Sequence, residues 1–550
     1  MKRIIGAFAV GIFIAACGAD ATSLPGWSTG NGAGGRGGKD GGEPDPGGDD
    51  GGGPVTYDDA GNPIPPADGG VLPPGNDSGV TPPPPSSGNA LAKNISITEV
   101  AMFQGVKISI ASGGAKVSSR TANVVSNRDG LLRVYVTPGA SYTAKPITAE
   151  LTLVSNGTKL PALTDTKTLS GASSDASMGS TFNFAIPGSS LPTGVTYSVA
   201  LTDPATQGAR TTDPAQYPTT GVPEAMDTHS TGAQLKVVLV PFQYNADGSG
   251  RLPDTSAAQV EIYRQAMFSI YPAARVDVTV HAPFAFSSAI SASGSGFSTA
   301  LNALVSLRQQ DGVPSDIYYM GIFAPSASFN SYCGGGCVTG LSGVGTNAND
   351  ATVRASAGIG FTGQESALTA AHEIGHAHGR QHAPCGGAAG PDPSFPYAGG
   401  GIGVWGYNLV TRQLIDPASG KDLMGYCQPE WISDYNYQKL FARMASVNNA
   451  PKILDPQAWT EPRQYRFLNV EADGSATWGQ ETILRERPLT DEHTVTHRAA
   501  NGSIIATATG YYYAYGDLPG GFLLVPVPPA GTVSTTVAGS AIRATVRHSF

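Results

Sequence analysis

One run of eleven residues constrains this chain more than any other: His372-Glu373-Ile374-Gly375-His376-Ala377-His378-Gly379-Arg380-Gln381-His382. On a helix, residues four apart lie on one face, so His372 and His376 can point their imidazoles at one metal ion. Glu373 follows the first of them and sits beside the metal without having to bind it. Gly379 can take backbone angles closed to other residues, which lets the helix stop and the chain turn back. That turn would deliver His382 as a third ligand. Three protein ligands leave a fourth position for water, the arrangement of a catalytic rather than a structural zinc. With 9 histidines in 550 residues, chance supplies this pattern on the order of once in 10^5 chains, which sets aside a helix with surface histidines. His378 lies about 240° around the helix from His372. It reads as a surface residue or one that supports the ligands from behind.

The spacing H-E-x-x-H-x-x-G-x-x-H resembles that of the metzincin zinc endopeptidases. The resemblance implies a methionine-containing turn beneath the metal, and Asp422-Leu423-Met424-Gly425-Tyr426-Cys427 supplies Met424 for it. Ser433 can cap the helix that follows, with Asp434 in its first turn, and 434–446 would be the closing helix of the family's lower subdomain. In the astacin and serralysin branches a tyrosine two places after that methionine binds the zinc or swings away to steady the reaction intermediate. Tyr426 is thereby implied as a fifth ligand or an oxyanion helper; the plainer alternative is a buried tyrosine in a loop that also holds Trp431, Tyr435 and Tyr437. The implied chemistry uses one catalytic Zn2+. Neutral imidazoles on zinc bring the pKa of its water from ~15.7 to about 7, and Glu373 takes the proton and passes it to the leaving amine. The metal, helped by Tyr426, steadies the oxyanion. The expected activity is hydrolysis of internal peptide bonds in extracellular proteins or glycoproteins. The alternative from another class is a non-catalytic surface adhesin that keeps a zinc site, and the presence of Glu373 argues against it.

The chain opens Met1-Lys2-Arg3, followed by an apolar run from Ile4 to Ala16. That is the pattern of a signal peptide, too short to remain as a spanning helix. Ile14-Ala15-Ala16-Cys17 resembles a bacterial lipoprotein cleavage box, which implies cleavage before Cys17 and acylation of it; the alternative is a plain secretory signal. Gly18 after the cysteine implies export to the outer membrane, so a lipid-anchored surface protein is expected, with a secreted one as the alternative. The next stretch is dominated by Gly, Pro, Asp and Ser and cannot bury enough apolar surface to offset its ordering entropy. It reads as a flexible tether. Four cysteines remain, Cys333, Cys337, Cys385 and Cys427, and they allow three pairings. Cys333–Cys337 and Cys385–Cys427 are favoured for an exported protein, against a structural zinc held by four thiolates.

The net charge is −9 with no basic cluster, so nucleic acid is not an expected partner. No calcium-loop pattern is present, and calcium stays undetermined. From Asn94 to Tyr217 short alternating runs with Gly/Pro/Asn punctuation suggest a β-sandwich, serving as a binding module, a spacer or a pro-domain without a cysteine switch. Strand and helix patterns then alternate from Leu235 to Ile322 before the histidine helix, as in the metzincin upper subdomain. The segment Cys337 to Gly343 reads either as an edge strand that pairs with an extended substrate or as a glycine-rich surface loop. Strand signals return after Pro456. His493 and His497 read as surface histidines. The expected class is therefore a multidomain α+β protein: signal peptide 1–16, lipidated tether 17–93, N-terminal β-sandwich domain 94–230, metzincin-like protease domain 231–453 with a mixed sheet and an active-site helix, and C-terminal β domain 454–550.

Overall fold

The computed structural model describes residues 88–208, 214–232, 234–449, 458–538 and 543–547. The expected signal segment, Cys17 and nearly all of the tether lie outside the described residues. Among the described residues strand accounts for 41% and helix for 17%, with five helices spread among several sheets. This overturns the α+β class expected from sequence: the fold is β-rich. The physical reason is pairing. Alternating Ser/Thr-rich segments at both ends assemble into three seven-stranded sheets, whereas helical periodicity is confined to a few windows between them.

Two of those sheets come mainly from the first part of the chain. Ile95–Phe103, Gly105–Ser112 and Gly130–Pro138 are neighbours in one, and Pro146–Ser155 pairs with Thr196–Gly208 in the other. Their inward residues, such as Val100, Ile108, Val134, Leu151 and Val199, share one apolar core. The first sheet is extended by Gly406–Asn408, which pairs with Gly105–Ser112 although some 300 residues separate them.

The histidine motif is carried by a different sheet. Gln234–Tyr244 lies between Arg275–Val280 and Ile317–Phe323, and Ala355–Ile359 follows, all parallel. The outermost strand, Gly340–Ser342, is antiparallel to Ala355–Ile359. It falls inside the segment read as edge strand or loop. Helices Ala257–Ile270 and Phe297–Asp311 make the connections; the first is capped by Ser256, whose side chain accepts from the Gln259 N–H. The motif helix, Gln364–Ala377, buries Ala367, Ala370, Ala371 and Ile374 against Tyr271, Met320 and Tyr437. Its alanines permit close approach. Ser433 caps Asp434–Asn448 by accepting from the Asn436 N–H at 3.1 Å.

The third large sheet is antiparallel throughout and runs from Ala458 to Arg547. Phe467, Tyr513 and Phe522 from this sheet pack in one core with Phe297, Leu301 and Leu304. His493 and His497 are buried in its strand Asp491–Arg498, at 5% and 1% exposure, which corrects the surface reading. Their spacing does put them on one face of a strand, but that face looks inward: His493 meets Tyr512 edge-on and His497 bonds Thr535 Oγ1 at 2.9 Å. The turn 514–520, which joins Ile504–Ala514 to Gly521–Pro526, reaches from this sheet to the motif histidines.

Candidate metal centre

The motif helix presents His372 and His376 one turn apart and then stops. Gly379 has φ +81°, and a Cβ there would lie 2.4 Å from the Gly345 carbonyl oxygen, so the reversal requires glycine. The chain returns His382 to the other two. His376 Nε2 lies 3.1 Å from His372 Nε2 and 3.2 Å from His382 Nε2. Tetrahedral zinc with bonds of 2.0–2.1 Å would set its ligands about 3.3 Å apart. The spacing fits.

The outer ring atoms show why the imidazoles face this way. Nδ1–H of His372 donates to the Leu423 carbonyl at 2.7 Å, that of His376 to Arg380 at 2.6 Å, and that of His382 to Ala389 at 2.6 Å. A carbonyl can only accept, so each ring carries its proton on Nδ1 and turns the Nε2 lone pair inward. Three lone pairs converging in a buried space repel one another unless a cation stands between them. The donor set therefore fits a metal ion.

The segment carrying Leu423 is held beneath the helix. Met424 is buried against Gly375, where a Cβ would come within 2.5 Å of the Met424 sulfur. Met424 O accepts from the Ala383 N–H at 2.8 Å, which fixes the backbone next to His382. Asp422 organises the turn by accepting from the N–H groups of Met424 and Ser433 and from the Asn436 amide. The disulfide Cys385–Cys427 ties this turn to the segment after His382, and Cys333–Cys337 closes the second small loop. These are the pairings favoured from sequence.

A fourth group, absent from the sequence reading, completes the cluster. Asp517, at the tip of the turn 514–520, lies 3.1 Å from His382 Nε2, 3.3 Å from His372 Nε2 and, through its second oxygen, 3.5 Å from His376 Nε2. Its side chain is 7% exposed. The four ligand atoms lie within 4.8 Å of one another. Tyr426, 4.9 Å from the His382 ring between centroids, donates its hydroxyl to Asp517 at 2.8 Å. It therefore stands beside the cluster, engaged with the carboxylate. Nothing local in Tyr515-Gly516-Asp517-Leu518-Pro519 marks the acid as a ligand, since the turn is 135 residues from His382.

Glu373 is buried, and its Oε2 makes no hydrogen bond. Burial first, and then the charge of Asp517, raise its carboxyl well above the ordinary glutamate value. Gly340 of the edge strand lies against it; a Cβ there would fall 2.1 Å from Oε1. His378 faces Ile374 O and Tyr318 rather than the other three histidines, as its place on the helix implies. It is nonetheless buried, stacked on Tyr318 at 4.3 Å with Nδ1 bonded to Ile374 O at 2.8 Å, so a surface position is excluded. Burial lowers its pKa to about 3, and it remains a neutral prop for the helix end.

Beside the cluster opens a cavity of about 650 Å³ whose walls include Val338, Thr339, Tyr426, Asp517 and Leu518. The site is thus a buried three-histidine, one-carboxylate cluster with a second carboxyl group alongside and a cleft leading to it. No protein-family model matches the chain, and no curated protein is significantly similar to it.

Proposed function

We propose that this chain is a zinc-dependent endopeptidase with a metzincin-type metal site, displayed outside the cell on a lipid anchor at Cys17 and acting on proteins or glycoproteins. One observation carries the reading: three imidazoles with their lone pairs turned to one point by backbone carbonyls, and next to them a buried carboxyl group, Glu373, whose Oε2 has no hydrogen-bond partner. A zinc ion held there would acidify water and polarise a peptide carbonyl.

The rest of the work falls to the chain. Glu373, buried directly after His372 with its Oε2 unbonded, is placed to take a proton from the attacking water and return it to the leaving amine. The net reaction adds water across the peptide bond and yields a free carboxylate and a free amine. Once clear of Asp517, the Tyr426 hydroxyl can donate to the developing oxyanion. The edge strand Gly340–Ser342 offers backbone groups to an extended peptide, and the adjoining cavity has room for a side chain. Among the described residues no helix is long and apolar enough to cross a membrane, consistent with attachment through lipid alone.

The second reading, a non-catalytic surface protein, draws on Asp517, because a fourth protein ligand is the mark of a closed structural site. Metal analysis and cleavage of unfolded casein separate the two. Under the peptidase reading the protein binds one zinc, chelator abolishes cleavage, and Glu373→Ala keeps the zinc while losing at least about a hundredfold in rate. Equal cleavage by Glu373→Ala and the parent would remove Glu373 from its role. Zinc without cleavage under any condition, including after Asp517 is replaced, favours the second reading.

A further inference from the structure

The turn 514–520 occupies the cleft in two separate ways. Its backbone continues onto the edge strand: Val344 N–H donates to Ala514 O at 2.9 Å, Gly516 N–H donates to Ser342 O at 2.9 Å, and Gly343 and Tyr515 form an antiparallel bridge. Two residues later, Asp517 reaches the three histidines. The fit along this path is close. A Cβ on Gly516 would lie 2.5 Å from His376 Cδ2, so the backbone rests on the ring, and one on Gly294 would lie 2.9 Å from Leu518 Cδ2 on the cavity wall. Tyr426 adds its hydrogen bond to Asp517.

We propose that the turn 514–520 is a built-in competitor that keeps the site latent: its backbone fills the edge an extended peptide would use, and Asp517 is the fourth metal ligand, in the place the hydrolytic water needs. This rests on the peptidase reading above. A carboxylate is an ordinary zinc ligand, and tethering it to the same chain gives it a high effective concentration without any partner. Release needs only the turn to lift. Gly516 and Gly520, the latter at φ +98°, flank Asp517, and the sheet behind it can stay in place.

The test uses the full chain loaded with Co2+, whose visible absorption reports on the metal's ligands, with acetohydroxamate as the probe and casein as substrate. Asp517→Ala is expected to keep its cobalt and to bind acetohydroxamate at a concentration at least about tenfold lower than the parent. Its casein cleavage is expected to rise by a similar factor. Asp517→Asn, close in shape, should behave the same way and serves if the alanine variant does not fold. A parent protein that takes up acetohydroxamate as readily as the variants overturns the latch, whatever happens to casein. Loss of cobalt from folded variants also overturns it, because Asp517 would then be a structural ligand. Easier acetohydroxamate binding in the variants without casein cleavage leaves the latch standing and removes the peptidase reading instead.

Discussion

At the scale of single residues, the site depends on a glycine that no metal chemistry would single out. Gly340 offers no ligand atom, yet its missing side chain is what leaves room for the Glu373 carboxyl group. A methyl group there would fall well inside van der Waals contact of Oε1, and the edge strand is backed by Ala355–Ile359 and cannot retreat easily. The carboxyl group is the softer partner and would swing. Gly340→Ala should therefore still bind a metal ion, because the change is aimed at Glu373 and not at the three imidazoles or their carbonyl partners. Its casein cleavage, measured in the Asp517→Ala background so that latency does not mask it, should drop by about a hundredfold, the scale of a misplaced general base. Metal content by mass spectrometry alongside the rate separates this outcome from loss of the centre; a variant with unchanged rate would show that the carboxyl group has another place to work from.

At the scale of elements, the centre is a helix end and a turn held at a fixed separation. His372 and His376 come from the helix, but His382 lies beyond it and is positioned by Ala383 bonded to Met424 and by Cys385 bonded to Cys427. The two half-cystines are 42 residues apart, and closing such a loop in the unfolded chain is worth about 4 kcal/mol in the chain-entropy account. Replacing both with serine should lower the unfolding free energy by roughly 2–4 kcal/mol in urea, and should weaken zinc binding in a chelator competition because His382 is no longer held. Unchanged affinity would mean that the backbone bonds alone fix the third ligand. Much of this was legible in the sequence. The i, i+4 spacing, Gly379, the Ser433 cap and the Met424 turn all express themselves within a few residues, where local geometry decides. The edge strand was half legible, since glycine-rich segments pair or not according to what lies next to them. Asp517 was not legible at all, because its role depends on a sheet register set far away. The same cause lies behind the mistaken fold class and the two buried histidines of the last sheet: strand patterns show which residues alternate, but not which face looks inward or how many strands will join.

At the scale of the whole molecule, the last sheet is bound to the rest by a core as well as by a carboxylate. Phe467 and Phe522 are fully buried in a cluster with Phe297, Leu301 and Leu304, and Asn302 donates to Asn469 Oδ1 at 2.9 Å. Tyr513 adds a buried hydroxyl bonded to Asp350. Each large apolar side chain in such a place contributes about 1.5–3 kcal/mol on burial. Losing the sheet would bare the helix Phe297–Asp311 and the strand Gly340–Ser342 together. Latency therefore cannot be relieved by shedding everything after Asn449, even though such a cut would remove Asp517. A chain ending at residue 449 is expected to aggregate or to bind a hydrophobic dye strongly, with no gain in casein cleavage, whereas Asp517→Ala in the full chain stays monodisperse on gel filtration. A soluble, dye-negative and active truncated protein would contradict this and would make the sheet a detachable inhibitor. If the truncation aggregates, any natural activation has to act on the turn itself, by lifting or cutting 514–520 while Ala458–Val470 and Gly521–Pro526 remain paired.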